Sequence, residues 1–329
     1  MADRETKIGI LLGTRGLVMA AKREGRPANA DVMLELAERV DEAGLDSVWV
    51  GDSLVSKPRL EPVAAMSAIA ARTSHVRIGT AVMLPAIRHA VPLAHALATA
   101  DVLSHGRIVV GAGVGGAFTP SQAQDWIAAG VDPKTRAGRF TELVQVMKRL
   151  WTEEKVGHHG EFFDFEDVTL APFPAQKPHP PMWVAGRSEA AMRRAALLGD
   201  GWYPYLFTVR RLKASKETIE GFAAEAGRDL TGFHWGLNQP TSLGNDRAEA
   251  FAVAVANVGQ RYVTAQRSAE DIAQSLCVSG NPQDCIKAIE ERVEAGVRDF
   301  NFGFLTPDAP GLFKQMELFS SQVMPYFKS

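Results

Sequence analysis

Residues 76–116, VRIGTAVMLPAIRHAVPLAHALATADVLSHGRIVVGAGVGG, hold one full repeat of the pattern that sets the fold. A strand-like apolar run at 76–82 leads into an Ala- and Leu-rich helical segment at 91–103. A second apolar run follows at 108–110. Neither run alternates apolar with polar residues, as a half-exposed strand would. Near-continuous apolar strands joined by helices belong to a parallel sheet covered on its outside.

The same unit recurs on both sides. Toward the N-terminus, strand 8–12 precedes helix 31–43, whose Leu34, Ala37, Val40 and Ala43 share one face and which Gly44 ends. Strand 47–50 (SVWV) precedes a helix over 62–72. Toward the C-terminus, strands are expected at 182–185, 201–203, 233–237 and 300–304. Helices are expected at 189–198, 209–226, 247–258, 269–277, 282–295 and 310–323. Eight such units close into a (β/α)8 TIM barrel, here a single domain over 1–329. An insertion over about 115–181 separates the fourth and fifth strands. It carries a helix at 136–151, with Phe140, Leu143, Val144, Met147 and Leu150 on one face, then a hairpin and a Pro-rich arm. An open doubly wound sheet would want GxGxxG after an early strand, and the turn after the first strand, GTRGLVMAAK (13–22), lacks it.

Composition narrows the function classes. The chain has 329 residues, 36 basic against 38 acidic, so no cationic excess points to nucleic acid. No apolar run approaches the roughly 20 residues needed to cross a bilayer, and the charged start does not read as a signal segment. A cytoplasmic enzyme is the expectation. Cys277 and Cys285 have neither CxxC spacing nor a partner cluster, so two reduced thiols are expected. The histidines, His89, His95 and the pair His158–His159 among them, show no metal-ligand spacing, and no metal is expected. A hydrolase would want GxSxG, which is absent. An aldolase or isomerase would want a lysine or paired carboxylates at the strand ends.

In a βα barrel the chemistry sits where strands end. Candidates there are Asp52–Ser53, Thr80–Ala81, Gly111 and Gly113, Ala185 to Ser188, Tyr203 and Asn238. In GRSEAA (186–191), a glycine and an arginine precede Ser188, a helix cap, and free N–H groups at a helix start bind anions. The segment reads either as a phosphate cradle or as an ordinary capped loop. GAGVGG (111–116) is neither a dinucleotide fingerprint nor a P-loop; it reads as backbone bared for a planar ring or as a flexible turn. Arg139, three residues after Arg136, reads as a phosphate ligand or as part of a solvated basic face.

Taken together, GLDSVWVGDSL (44–54), residues 71–116, RFTELVQVMKRLW (139–151) and PPMWVAGRSEAAMRRAALLGDGWYP (180–204) resemble the luciferase-like flavin-dependent oxidoreductases. The likeness covers about the first two thirds of the chain. It implies FMN or the deazaflavin coenzyme F-420 at the strand ends. Asp52 and Ser53 would lie near the ring, and Thr80 and Ala81 would form a bulge behind it that has a non-proline cis peptide in many members. Gly111 and Gly113, on the glycine-rich reading, remain cofactor-binding candidates. Arg139 and the turn Ala185, Gly186, Arg187, Ser188 would hold the phosphate. His89 is a further candidate near the ring. Two departures stand out. Many deazaflavin-using relatives have histidine where this chain has Ser53, and Ala90 replaces the proline that usually follows His89.

The resemblance implies an oxidoreductase acting on a small organic substrate. With reduced FMN and O2 it would be a monooxygenase fed by a separate flavin reductase; with coenzyme F-420 it would transfer hydride. A non-catalytic flavin-binding protein would carry the same motifs. Residues 207–266 and the insertion are expected to line the substrate pocket. A homodimer through barrel helices is the expected assembly.

Overall fold

The eight expected strands pair in parallel around a closed ring. The computed structural model describes residues 6–259, 263–264, 266–306 and 308–328. The ring runs β1 (Lys7–Leu11), β2 (Ser47–Val50), β3 (Arg77–Thr80) and β4 (Ile108–Gly113). An antiparallel hairpin, β5 (Val156–His159) and β6 (Asp164–Val168), interrupts the chain order. The ring continues through β7 (Met182–Ala185), β8 (Gly201–Trp202) and β9 (His234–Leu243). It closes through β11 (Asp299–Phe304), which pairs with both β9 and β1. The (β/α)8 barrel is therefore present. Part of the expected 207–266 lining, residues 260–262 and 265, lies outside the described residues.

Strand side chains divide by parity. Trp49, Val109, Trp183 and Tyr203 fill the barrel interior as one cluster. Val48, Val50, Ile78, Ile108, Val110, Met182 and Val184 point outward into the larger core beneath the helices. That core is covered by α2 (Asp31–Glu42), α3 (Pro62–Ala70), α4 (Ala90–Leu103), α6 (Arg136–Thr152), α7 (Glu189–Leu198) and α8 (Val209–Glu225) among others.

Several expected elements differ from the observed ones. Residues 13–22, read as a turn, fall almost wholly in helix α1 (Thr14–Glu24), which ends on a left-handed Gly25. In the insertion, Pro120–Ala128 forms α5, started by the Thr119 cap. Helix α6 touches both α4 and α7 and so belongs to the ring of barrel helices, while the hairpin and arm are the added part. Strand β9 is twice its expected length, and its end pairs with a short extra strand, β10 (Val278–Gly280).

The N-terminal ends of the strands form a closed floor. Arg77, His234 and Asp299 are the first residues of β3, β9 and β11. Asp299 accepts from Arg77 Nη2 at 2.9 Å and lies 3.1 Å from His234 Nδ1. The His234 ring stacks on Trp183 at 4.9 Å.

Candidate active site

At the opposite, C-terminal end the barrel opens into a cavity of about 450 Å³. A cavity of similar size lies outside the barrel between α3 and α4, but only the first is framed by strand ends. Leu11 ends β1, Ala81 and Val82 follow β3, Ala185 ends β7, and Gly186 and Arg187 follow it. Tyr203 and Tyr205 come from the loop after β8, and Asn238 from β9. A smaller cavity of about 270 Å³ shares Arg187 and Leu206 with it.

The base of the cavity is aromatic. The Tyr203 ring stacks on Trp49 at 5.0 Å, and Trp49 packs against Trp183 at 5.1 Å. The Tyr203 hydroxyl accepts a 2.5 Å bond from Asn301 Nδ2. Full burial pushes the ionisation of this phenol far above its ordinary value, so it stays protonated.

Behind the ring position implied by the resemblance, the peptide between Ala81 and Val82 is cis. The chain beyond it is tied to β4: Met83 N donates to Gly111 O at 2.7 Å and Gly113 N to Met83 O at 3.0 Å. Thr80 Oγ1 donates to Gly111 O at 2.8 Å, and Thr80 is fully buried. A Cβ on Gly111 would collide with Thr80 O, so this glycine permits close approach of β3 to β4. Gly111 and Gly113 are buried strand residues and do not line the cavity.

The β7 turn reaches the cavity through Ala185, Gly186 and Arg187. Gly186 has φ +141°, a conformation other residues avoid, and a Cβ there would collide with Ala191 of α7. Ser188 caps α7, accepting from Ala191 N at 3.3 Å. The remaining N–H groups of the α7 start lie directly after the exposed Arg187.

Like Gly111 and Gly113, the candidates Asp52, Ser53, His89 and Arg139 sit away from the cavity wall. Asp52 makes a two-pronged ion pair with Arg88, at 2.6 and 3.0 Å, and accepts from Leu84 N at 2.9 Å; its side chain is fully buried. Arg139 donates to Ala86 O at 2.8 Å and Arg88 O at 3.3 Å, and its guanidinium lies 4.5 Å from the Phe163 ring. Both residues brace the segment after the cis peptide. His89 caps α4 and lines the outer groove beside α3. Ser53 donates to Asp125 Oδ2 at 3.0 Å. Asp125, on α5, also accepts from Val55 N at 2.6 Å, Ser56 N at 2.8 Å and Ser56 Oγ at 2.7 Å. Burial would raise the Asp125 pKa, but these donors outweigh it and hold the carboxyl below its ordinary range.

That anchor shapes the loop bearing Lys57 and Arg59, two cavity residues that the motif reading does not single out. Their loop position follows no motif; the pairing of β2 with β1 brings it beside Arg15. Burial first, and Arg15 second, hold the Arg59 guanidinium below the usual arginine range; Asp52 and Asp125 act in the opposite sense. Arg59 Nε is buried with no hydrogen-bond partner.

The two cysteines are free and buried, each thiol pushed up to about 12 by burial. Such thiols are poor nucleophiles. Among the described residues no cluster of three His, Cys, Asp or Glu side chains is placed to hold a metal ion, and no helix is long and apolar enough to cross a membrane.

Comparison with known proteins places this geometry. The family model described as luciferase-like monooxygenase matches residues 6–299. An F-420-dependent glucose-6-phosphate dehydrogenase of Kineococcus radiotolerans is 28% identical, over 90% of this chain and 93% of its own. The oxygenase component of a flavin-dependent trigonelline monooxygenase from Acinetobacter baylyi is 33% identical, over 48% of this chain and 43% of its own. Among solved structures, monooxygenase RslO1 from Streptomyces bottropensis superposes with a TM-score of 0.77 at 26% identity, covering 98% of this chain and 99% of its own.

Proposed function

Because this chain belongs to the luciferase-like monooxygenase family of oxidoreductases, we propose that it binds reduced FMN at the barrel mouth and oxygenates a small organic substrate with O2. The observation that carries this reading is the make-up of the cavity wall. Its ionisable groups among the described residues are Arg15, Lys57, Arg59, Arg187 and two tyrosines, with no carboxylate and no histidine. Removing hydride from an alcohol needs a base for the hydroxyl proton. Ser53, where many deazaflavin-using relatives have histidine, has its hydroxyl engaged by Asp125. Oxygenation asks instead for a shaped pocket that excludes water.

The residues present fit the cofactor. Arg187 and the start of α7 offer a cation and free N–H groups to a phosphate, and Gly186 lets the backbone approach it. Ala81, Val82 and Leu11 offer an apolar wall to a planar ring. When bound, reduced FMN supplies the electrons that activate O2. The chain's own part is to hold the phosphate, keep the wall rigid through Asp52, Arg88 and Arg139, and keep water from the aromatic base.

A separate reductase would supply the reduced flavin, as the description of the trigonelline enzyme as an oxygenase component suggests. The groove between α3 and α4, next to exposed Val102 and Leu103, would serve the expected homodimer. The second reading, hydride transfer with coenzyme F-420, is favoured by the near full-length match to the Kineococcus dehydrogenase. Lys57 or Tyr205 would then have to move the substrate proton.

Anaerobic titration with reduced FMN and, separately, with oxidised coenzyme F-420 decides between them. Tight binding of FMN alone supports the monooxygenase. Tight binding of coenzyme F-420 alone replaces it with the dehydrogenase. Binding of neither removes both, and binding without turnover of any substrate would leave a flavin-binding protein.

A further inference from the structure

The barrel mouth carries positive charge at two places, and a cofactor phosphate accounts for one. Arg187 follows β7. Arg15 follows β1, and Arg59 lies in the loop after β2. Around the ring, β7 lies four strands from β1 in either direction, so the two cationic poles stand on opposite sides of the opening.

Among the described residues, no acid is ion-paired with Arg15 or Arg59 at this pole. Asp52 gives both oxygens to Arg88. Asp125 is filled by Ser53, Val55 and Ser56. Gly51 leaves space against the backbone that the Arg59 guanidinium occupies; a Cβ there would collide with it. Arg59 Nε is nevertheless buried and unpaired. A guanidinium presents its donors as a rigid fork that matches a planar oxyanion, and a buried donor left unmade costs stability. The part of Arg59 that lines the cavity, beside Arg15, is the part that can meet an anion.

Resting on the assignment of this cavity as the cofactor and substrate site, we infer that Arg59, with Arg15, binds a carboxylate of the substrate. The substrate class is then small organic acids, with the carboxylate against the β1–β2 side. Their apolar part lies toward Tyr203 and Ala81. Arg59 is a specificity-determining residue in this scheme, and its work is separate from that of Arg187.

Benzoate and benzamide test this, being matched in shape and different in charge. Their binding to the full chain is measured by calorimetry, with and without saturating FMN, for wild type, Arg59→Met and Arg187→Met. Wild type is expected to prefer benzoate at least tenfold. The preference should vanish in Arg59→Met and persist in Arg187→Met. Equal affinity in wild type, or a preference that survives Arg59→Met, overturns the proposal. So does a preference lost only in Arg187→Met, which would put the carboxylate at the phosphate pole. If Arg59→Met does not fold, Arg59→Lys keeps the charge and loses the fork; a reduced preference supports the proposal and an unchanged one overturns it. Cofactor titration of the same proteins separates the two claims. Benzoate preference without FMN or F-420 binding keeps the anion site and removes the cofactor reading; cofactor binding without the preference does the reverse.

Discussion

The two ends of the barrel treat charge in opposite ways. At the floor, Asp299 lies between Arg77 and His234 at hydrogen-bond distance, and the aromatic rings of Trp183 and His234 seal the group. At the mouth, Arg15, Lys57, Arg59 and Arg187 line one cavity whose described wall holds no acid, and Arg59 Nε is buried with no hydrogen-bond partner among the described residues. One barrel supplies both ends, the floor charges from β3, β9 and β11 and the mouth cations from the loops after β1, β2 and β7. Paired charge at the floor closes the barrel. At the mouth the cavity wall gathers cations without a carboxylate among its described residues, an arrangement that suits a ligand bringing the negative charge.

The sharpest way to break the comparison is at the floor. Asp299→Asn should cost about 3 kcal/mol, because it leaves the partly buried Arg77 charge without its partner. Burial would raise the Asp299 pKa, but His234 and Arg77 outweigh it and hold it low. Its stabilisation is therefore full above the ordinary aspartate pKa, about 4, and is lost as pH falls through the lower folded value. Thermal melts of the two proteins should differ widely at pH 7 and converge in strong acid. Equal Tm at pH 7 would show that the floor is not held by charge.

At the mouth, Arg187→Met should do the reverse. Arg187 is exposed, so stability should change by no more than about 0.5 kcal/mol. Cofactor affinity should fall by roughly tenfold to a hundredfold, the worth of a hydrogen bond to a charged group. Fluorescence titration with FMN and with coenzyme F-420 reads this directly, and a large loss of Tm would mean that the residue belongs to the scaffold.

The scaffold is far more legible in the sequence than either the floor or the mouth, since neither the Arg77–Asp299–His234 cluster nor the Arg59 position is singled out there. The alternation of apolar runs and helices gives the barrel, and Ser188 reads correctly as the cap of α7, because both are local patterns. Helix α1 escapes the reading because Gly13 and Gly16 at its start look like a turn. Asp52 and Arg139 have the right chemistry for a ligand site, but their partners, Arg88 and the carbonyl of Ala86, lie 36 and 53 residues away and cannot be read from spacing. The reverse holds for Arg59: nothing nearby in sequence marks it, and its place opposite Arg187 exists only once the ring has closed.

The α5 anchor links scaffold and mouth and should show an intermediate effect. Asp125→Asn puts an amide where the backbone N–H of Val55 and Ser56 and two hydroxyls all need an acceptor. A loss of about 1–2 kcal/mol is expected. Because the Asp125 pKa is lowered in the folded state, the wild-type contribution is whole above about pH 4 and fades as pH falls through that lower value. Hydrogen exchange at Val55 and Ser56 should rise in the variant. Unchanged exchange would separate this carboxylate from the loop it contacts.

The smallest effect is also the most informative about the mouth. Arg59→Met keeps most of the side chain's length and removes a charge that burial and Arg15 both disfavour. It also removes the unpaired Nε. Against this stands the attraction of Asp52 and Asp125, whose oxygens are already bound elsewhere. The two sides should leave stability within about 1 kcal/mol of wild type, with a gain as readily accommodated as a loss. A charge removed from the floor then costs several times more than one removed from the mouth, as expected if the mouth is built for a ligand. A loss at Arg59 as large as that at Asp299 would mean that Arg59 is paired in the folded protein and that the mouth, like the floor, is scaffold.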